Sequence, residues 1–386
     1  MKPVALIVLL CLPLSVAAAP PSFTTNAPIA YLYDVSSGAE LYAKDPDRHM
    51  PPASLAKMMT VYVAFDMIRK GELKLDQKFL VTPEIWKKWN ATNGGSTMFL
   101  APGDMPTVAD LLSGIVTLSG NDACATLATG ISGSEGAFAD RMNAKAKELG
   151  LTGSHFGNSI GWPDGGVTEV TARDLAHLAA ATITQFPDLY KRFYGMKTYT
   201  WGKTTGGKAI TQDNRNPILG VVPGADGLKT GHTEEAGFGF TGSAEQNGRR
   251  LVEVLAGMRS KQERVTESVN LINWGFQAWS GHQIYPKGKE VGTAKVQMGS
   301  SRSVGLVADQ DVMTTMPAGT QGAVNVSIAY DGPIRAPVSK GQHIADLVMT
   351  SNDAPQQRVP LYAENDVGEA GFFMRIWLAF LSLFGG

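Results

Sequence analysis

Apolar and polar positions follow two different periods along the first two thirds of the chain. Residues 29–42, IAYLYDVSSGAELY, predict two strand segments around the turn residues Asp34 to Gly38. Residues 53–70 predict a largely buried helix, because apolar side chains recur there at helical spacing, at Leu55, Met58, Met59, Tyr62 and Phe65. Further helices are predicted at residues 107–117, 121–128, 136–149, 171–184 and 262–279, and strands between residues 228 and 258. This order predicts an α/β (α+β) fold, with a sheet covered by helices and a helical subdomain.

The pattern changes after residue 283. Residues 283–364 consist of short alternating runs such as VNVSIAY and HIADLVM, separated by the turns DGP, KGQ and SND. Such runs are typical of a small all-β domain. We therefore predict a first domain over residues 20–280, an all-β domain over residues 281–366 and a helix over residues 367–386.

Both ends of the sequence carry apolar segments. Lys2, an apolar stretch from Val4 to Val16 and the triplet Ala17-Ala18-Ala19 have the order of a signal peptide over residues 1–19, which predicts export. That stretch is shorter than the ~20 residues that a membrane span needs. At the other end, FFMRIWLAFLSLF predicts an amphipathic helix that lies flat in a membrane surface. The alternative is a helix docked on the protein's own core.

Charge and composition reduce the number of function classes that the sequence allows. The 34 Lys and Arg residues nearly balance the 35 Asp and Glu residues, and no basic run forms a phosphate-binding surface, so nucleic acid is not an expected partner. Outside the signal segment only Cys124 remains, which we interpret as a buried small side chain. The six His residues form no H-E-x-x-H motif and there is no C-x-x-C, so we expect no metal and no cofactor.

Ser54 is the only serine in the sequence with a lysine three residues on, Lys57. One turn apart near the start of a predicted helix, the hydroxyl and the amine can reach each other. An unactivated serine is a weak nucleophile, and a lysine whose pKa is lowered by burial and a neighbouring cation can act as its base. Alone, the S-x-x-K pattern is weak evidence for catalysis.

Two more motifs follow in order. Ser119-Gly120-Asn121 offers a second hydroxyl for proton relay and a carboxamide that can hold a peptide carbonyl. Lys229-Thr230-Gly231, on a predicted strand, offers a cation, a hydroxyl and a residue without Cβ, beside which a substrate carboxylate and backbone can dock. A second S-x-N, at Ser268, falls inside a predicted helix and is interpreted as a solvated helix face. Together the three motifs are far more specific than any one of them, and such a set occurs in penicillin-binding proteins and class A β-lactamases.

With their flanking residues, PASLAKMMT, SGNDAC, NRNP, DGLKTGHTEEAGFGF and EAGFFMRIW, the motifs resemble the low-molecular-mass penicillin-binding D-alanyl-D-alanine carboxypeptidases over nearly the whole mature chain. The resemblance implies a β-lactamase/transpeptidase-like domain, an all-β second domain and a peripheral helix on the periplasmic side of the cytoplasmic (inner) membrane. It also implies a serine-type carboxypeptidase that removes the terminal D-alanine from peptidoglycan pentapeptides through an acyl-enzyme and is acylated by β-lactam antibiotics.

The resemblance implies a role for each motif residue. Ser54 is expected to be acylated with Lys57 as its base, and Ser119 to relay a proton to the leaving amine. Asn121 is expected to hold the substrate amide. Lys229 and Thr230 are expected to polarise the Ser119 side and to bind the terminal carboxylate, with Arg259 as an added cation, while Gly231 lets the substrate backbone dock. The backbone N–H groups of Ser54 and His232 are expected to form the oxyanion hole.

Two segments depart from the family pattern. Residues 157–164, GNSIGWPD, differ from the usual loop beneath the active site, and no role is assigned to them. Pro217 replaces the Gly that commonly follows N-R-N, so Arg215 is interpreted as structural.

Other functions are weighed on the same sequence. Ser159 lies in a G-x-S-x-G motif, but this motif runs into loop residues instead of the helix that a hydrolase elbow requires. A β-lactamase of class A uses a Glu in E-x-x-x-N before the third motif, and no Glu between Asn121 and Lys229 has Asn four residues on.

Two alternatives stay open. Endopeptidase or transpeptidase activity uses the same acyl-enzyme, although the β domain and the tail favour a carboxypeptidase. The other alternative, a non-catalytic wall-binding protein, would take no covalent penicillin label.

Overall fold

The computed structural model describes residues 22–371 except 94, 205, 321–323 and 351–355. The described chain divides into two units, one of Phe23–Val35 and Glu40–Phe276, the other of Ser36–Ala39 and the described part of Gln277–Gly386. In chain order the described helices are α1 (Lys57–Arg69), α2 (Pro83–Trp89), α3 (Val108–Ser113), α4 (Asn121–Ser132), α5 (Glu135–Glu148), α6 (Ala172–Gln185), α7 (Pro187–Phe193) and α8 (Lys261–Ala278).

The described strands are short and most are antiparallel. In chain order they are β1 (Ile29–Asp34), β2 (Ala39–Lys44), β3 (Thr198–Lys203), β4 (Ala209–Asp213), β5 (Ala225–Thr233), β6 (Gly237–Gln246), β7 (Arg249–Met258), β8 (Trp279–Tyr285), β9 (Glu290–Gln297), β10 (Ser303–Val307), β11 (Val312–Pro317), β12 (Asn325–Ala329), β13 (Ile334–Arg335), β14 (His343–Thr350) and β15 (Gln357–Ala363).

In the described part of the first unit, β1, β2 and β5 to β7 form a five-stranded sheet in the order β2-β1-β7-β6-β5. Strand β1 pairs with β7, β7 with β6 and β6 with β5, all antiparallel. The predicted strands at residues 29–42 and 228–258 are thus confirmed. Strand β5 lies at the edge of this sheet, so its free side can receive an extended peptide.

Helix α1 is the centre of the helical part, since every residue from Lys57 to Asp66 is buried. It packs against α4, α5 and α6. Helix α3 begins with a capping box, in which Thr107 and Asp110 each accept a hydrogen bond from the other's backbone N–H, at 3.1 and 2.9 Å. A π-helical turn, Gly114–Leu118, follows it. The helices predicted between residues 53 and 279 are confirmed, whereas α2, α7 and the β3–β4 hairpin were not predicted.

The second unit is all-β in its described residues, apart from the end of α8. Its larger sheet has the order β12-β14-β15-β10-β9-β13, and β8 pairs with β11. Alternate residues of β15 are buried against the core of this unit. The prediction of an all-β second domain is confirmed.

The end of the described chain continues the second unit. Val367 bridges Val338, and Glu369 bridges Gly299, so this stretch is extended. The stripe of the predicted tail helix, from Phe373 onward, lies outside the described residues, as does the predicted signal segment. Within the part of the chain that the structure describes, no helix combines the length and apolar composition that crossing a membrane requires.

Candidate active site

Ser54 lies in a 3-10 turn, Ala53–Ala56, directly before α1. The preceding residue, Ala53, has φ +48°, a left-handed backbone that is uncommon for a residue with a Cβ and is typical of functional turns. Ser54 lines a cavity of about 900 Å³. Lys57 Nζ donates a hydrogen bond to Ser54 Oγ at 2.8 Å, the contact that the S-x-x-K spacing predicts.

Lys57 is fully buried, and Nζ also donates to the carbonyl oxygen of Ile160 at 3.1 Å. Burial lowers the pKa of Lys57 to about 8, against the opposing effect of Cys124 and with a smaller lowering contribution from Arg215. An amine with this pKa has a substantial neutral fraction near neutral pH. It can therefore take a proton from the serine that it contacts.

The second motif forms the turn between the π-helical turn and α4. Ser119 has φ +61° and follows the π-helical turn, and α4 begins at Asn121. A Cβ on Gly120 would lie 2.9 Å from Asp122 Oδ1, so the turn needs a glycine here. Ser119 and Asn121 line the same cavity as Ser54.

The third motif lies on the edge strand β5, with Lys229 opposite Thr241 and Gly231 opposite Gly239 on β6. A Cβ on Gly231 would lie 2.9 Å from the carbonyl oxygen of Pro52, which precedes the Ser54 turn. Glycine therefore lets β5 lie directly against the nucleophile turn. Gly231 and the neighbouring Thr230 also line the cavity.

Lys229 is buried below this strand, and its Nζ donates to the carbonyl oxygen of Thr230 at 3.0 Å. Burial, with the charges of Lys57, Arg215 and Arg264, holds the pKa of Lys229 well below its usual range. Two lysines with lowered pKa values thus contact residues that line one cavity, Lys57 at Ser54 and Lys229 at Thr230. His232 follows at the rim, where its ring stacks on Phe238 with centroids 3.9 Å apart.

The structure does not bring Arg259 to this cavity. Its side chain is exposed and its backbone N–H donates to Glu263 Oε2 at 2.7 Å, and it is absent from the described lining residues. Three other cations line the cavity instead, namely Arg215, Lys261 and Arg264.

Arg264 is 4% exposed and its guanidinium lies over the ring of Phe238 at 5.5 Å. Burial, with the charge of Arg215, lowers its pKa to about 10, so it is charged at neutral pH. The sequence analysis missed this residue. The available signal was its spacing to Ser268, Leu271 and Ile272, which places an arginine on the buried stripe of α8. Ser268 is itself 0% exposed, so the interpretation of its S-x-N motif as a solvated helix face is wrong.

Arg215, interpreted from sequence as structural, lies in the cavity wall and donates to Ser96 Oγ at 2.7 Å. This bond ties the segment after β4 to the segment before the second motif. Burial lowers the pKa of Arg215. The interpretation from sequence was incomplete, because the side chain of Arg215 can hold the cavity wall in place and also bring a positive charge to the cavity.

The loop of residues 157–164, which received no role from sequence, forms part of the cavity wall. Asn158 Oδ1 accepts hydrogen bonds from the backbone N–H groups of Ile160, Gly161 and Trp162 at 3.1, 2.8 and 3.1 Å. This network fixes the loop so that the Ile160 carbonyl points at Lys57.

Ser159 is not placed as a nucleophile. It is fully buried, its Oγ donates to Glu135 at 3.0 Å and its carbonyl oxygen accepts from Thr60 Oγ1 at 2.6 Å. Neither a strand precedes it nor a helix follows it in the described loop. The carbonyl also accepts from the thiol of Cys124, which is buried as predicted and whose pKa burial raises to about 11.

The chain is similar to known proteins over most of its length. A family model described as D-alanyl-D-alanine carboxypeptidase matches residues 15–260, and a model of the penicillin-binding protein 5 C-terminal domain matches residues 279–369. The D-alanyl-D-alanine carboxypeptidase DacA of Haemophilus influenzae is 35% identical over 361 residues, 93% of this chain and 89% of its own. DacC of Escherichia coli is 35% identical over 349 residues, 90% of this chain and 85% of its own.

Solved structures agree with these sequence matches. The crystal structure of penicillin binding protein 5 from Haemophilus influenzae superposes with a TM-score of 0.78 at 34% identity, covering 92% of this chain and 100% of its own. Penicillin binding protein 6B from Escherichia coli gives a TM-score of 0.69 at 32% identity, covering 89% and 96%. The predicted fold class, a transpeptidase-like domain followed by a small β domain, is confirmed.

Proposed function

Because the chain belongs to the D-alanyl-D-alanine carboxypeptidase family and is a serine peptidase of that class, we propose that Ser54 is the residue that its substrate acylates. Membership confirms the family resemblance of the sequence motifs. The observation that carries the proposal is the 2.8 Å contact between Lys57 Nζ and Ser54 Oγ, in a cavity that residues of all three motifs line. The substrate is a peptidoglycan stem peptide that ends in D-alanyl-D-alanine.

In the acylation step, neutral Lys57 takes the proton of Ser54 Oγ as the oxygen bonds to the carbonyl carbon of the penultimate D-alanine. The backbone N–H groups of Ser54 and His232 stabilise the oxyanion that forms. The peptide C–N bond then breaks. The leaving amine takes a proton through Ser119, and free D-alanine departs while the shortened peptide stays as an ester on Ser54.

In the second step, water attacks the ester carbonyl carbon and the bond to Ser54 Oγ breaks. A proton returns to Ser54, and the shortened peptide leaves with a new terminal carboxylate. A β-lactam follows only the first step efficiently, because its amide nitrogen stays tethered to the acyl group after the ring opens. Asn121 is positioned in the lining to hold the amide of either acyl group.

The terminal carboxylate of the substrate is expected to bind a cation in the cavity wall. Arg264 lines the cavity and is charged, whereas neither Lys229 nor Arg259 is among its described lining residues, and Arg215 in the same wall already donates to Ser96 Oγ. We therefore infer that Arg264 and the hydroxyl of Thr230 bind this carboxylate. Lys229, whose Nζ donates to the carbonyl oxygen of Thr230, would hold the strand that carries this hydroxyl.

Export and membrane attachment complete the proposal. The segment of residues 1–19 and the apolar stripe after Gly371 support a mature chain that begins near Pro20 and is held on the periplasmic side of the inner membrane by its tail helix. The domains would then span residues 20–280 and 281–366. Truncation before residue 372 should release an active enzyme from the membrane fraction, and retention of the truncated protein on membranes would contradict the anchor.

The experiment that tests the activity is the release of D-alanine from a pentapeptide by the purified chain, followed by mass spectrometry of the peptide. We expect a loss of one D-alanine, and no loss with Ser54→Ala. Cleavage of a cross-linked dimer without release from the pentapeptide would instead identify an endopeptidase, and transfer of the acyl group to an added amine a transpeptidase. Binding to isolated cell wall without any cleavage or penicillin label would identify a wall-binding protein.

A further inference from the structure

A groove of about 500 Å³ lies beside the active-site cavity. Trp86 from α2 and Phe99 form its apolar surface and are 42% and 41% exposed, which is unusual for side chains of this size. Asn90, Asn93 and other polar residues of the intervening turn line it as well. The groove therefore combines flat aromatic rings with amide groups.

The groove and the active-site cavity are separated by one short strip of chain. Gly95 and Ser96 line the cavity, and the next residue, Thr97, lines the groove. Residues 95–97 thus border both the cavity and the groove. This continuity suggests that one extended substrate uses both.

The strip is rigidly held by Asp122, the residue after Asn121. Its carboxylate accepts hydrogen bonds from Thr97 Oγ1 at 2.6 Å, from the backbone N–H of Met98 at 2.8 Å and from that of Leu100 at 3.0 Å. The groove wall is therefore fixed to the same helix that presents Asn121 to the cavity. A preformed wall binds without the cost of ordering a loop.

The turn that carries the amides is held in the same way. Asn90 Oδ1 accepts hydrogen bonds from the N–H groups of Thr92 and Asn93 at 3.0 and 3.3 Å, and Asn93 Nδ2 donates to the carbonyl oxygen of Lys87 at 3.2 Å. Asn90 Nδ2 also donates to that oxygen, at 3.3 Å. An amide nitrogen carries two N–H groups, so each of these two lining side chains keeps a second donor for a ligand. A sugar ring presents apolar C–H groups on its face and hydroxyl or acetamido groups at its edge, which matches aromatic rings flanked by amides.

We propose that this groove binds the glycan strand to which the stem peptide is attached, by stacking an amino sugar on Trp86. The proposal rests on the proposed function, since it takes its peptide to be a peptidoglycan stem. An extended chain spans about 3.3–3.6 Å per residue, so the four residues before the scissile bond reach about 14 Å. In this proposal a peptide that leaves the cavity across residues 95–97 places its sugar in the groove.

The test compares two substrates that share one pentapeptide, free or attached to a tetrasaccharide of alternating N-acetylglucosamine and N-acetylmuramic acid. Trp86→Ala should lower kcat/KM about tenfold for the glycan-linked substrate and leave it unchanged for the free peptide. Trp86→Phe should restore most of the loss, because it keeps an aromatic face. Leu80→Ala is the matched control, since Leu80 is 54% exposed and is not a residue of the groove lining.

Equal losses on both substrates, or no loss on either, would overturn the glycan groove. Calorimetric titration of the peptide-free tetrasaccharide into the Ser54→Ala chain separates this outcome from failure of the proposed function. Saccharide binding that Trp86→Ala abolishes would support the groove even if the wild-type chain released no D-alanine. Absence of saccharide binding, with Trp86→Ala instead weakening capture of an apolar peptide, would reassign the groove to a protein partner.

Discussion

Gly161 lies against the carbonyl oxygen of Ala53, so closely that a Cβ on residue 161 would come within 1.8 Å of that oxygen. Ala53 directly precedes Ser54, and the carbonyl of Ile160, directly before Gly161, accepts the hydrogen bond of Lys57. The loop of residues 157–164 thus supports both members of the nucleophile pair. A segment with no catalytic side chain of its own sets the geometry of the reaction.

Gly161→Ala should therefore slow acylation by a labelled penicillin about 100-fold, because displacement of the Ser54 turn by about 1 Å misaligns the nucleophile. Gly165→Ala is the matched control. Gly165 directly follows this loop and has a similar left-handed φ, +74° against +76°, but a Cβ there would meet nothing within 4 Å. It should cost about 1–2 kcal/mol of stability and no acylation rate. Similar acylation rates in the two variants would show that the close contact between Gly161 and the carbonyl oxygen of Ala53 does not matter for acylation.

The pH dependence of the acylation rate should follow the protonation of Lys57. Its pKa of about 8 means that the neutral base becomes scarcer as the pH falls, so kcat/KM should drop about tenfold per pH unit on the acid side of pH 8 and level off above it. Stopped-flow measurement of penicillin acylation from pH 5.5 to 9 would show this. A rate that does not change between pH 6 and 8 would remove Lys57 from the role of base.

Carboxylate recognition should depend on Arg264 and not on Arg259. Arg264→Gln should lower kcat/KM about ten- to hundredfold for a peptide with a free terminal carboxylate, and far less for its C-terminal amide, because a charge-assisted bond is lost only with the acid. Arg259→Gln should leave both rates unchanged, since this side chain is exposed outside the cavity lining. A selective loss in Arg259→Gln would restore the role that the sequence analysis assigned to it.

Glu253 on β7 should make stability fall as the pH rises. It is fully buried, neither carboxylate oxygen has a hydrogen-bond partner among the described residues, and burial raises its pKa well above the usual value. Above the normal pKa of Glu, about 4.3, the unfolded chain releases this proton while the folded chain keeps it. The free energy of unfolding therefore falls by up to about 1.4 kcal/mol per pH unit until the folded carboxyl itself ionises.

Glu253→Gln removes this titration and tests the argument. In urea unfolding between pH 4 and 8, the variant should gain stability relative to the wild type as the pH rises, whereas Glu72→Gln, at an exposed position, should not. A constant difference between Glu253→Gln and the wild type over this range would mean that Glu253 is ionised in the folded protein.

The fold was largely predictable because the core elements carry long runs of apolar residues, as in α1 and β7. The elements that were missed are short or only partly apolar. Helix α2 begins with a Thr82 cap and Pro83 at its first position, a readable start signal, but it is only seven residues long. The β3–β4 hairpin is half exposed, and its apolar face is small, with Tyr199 and Trp201 of β3 packing against the core of the first unit.

The active site was predictable only where its reactive residues lie close together in the sequence. Each of the three motifs is a short run of residues, so the sequence alone predicts that Ser54, Ser119 and Lys229 belong to one active site. Arg264 and Arg215 reach the cavity from distant segments through tertiary packing, and the Ile160 carbonyl is a backbone group that any residue could supply. No local sequence pattern identifies such contributions, because they arise only when distant segments pack together in the fold.

The most direct test of the central claim is the position of the acyl group. The purified chain should be incubated with a fluorescent penicillin at pH 8, digested, and the labelled peptide sequenced by mass spectrometry. We predict a single adduct on Ser54, within the segment PASLAKMMT, and its loss in Ser54→Ala with a wild-type unfolding profile. An adduct on Ser159 or on any other residue, or labelling that persists in Ser54→Ala, would contradict the assignment.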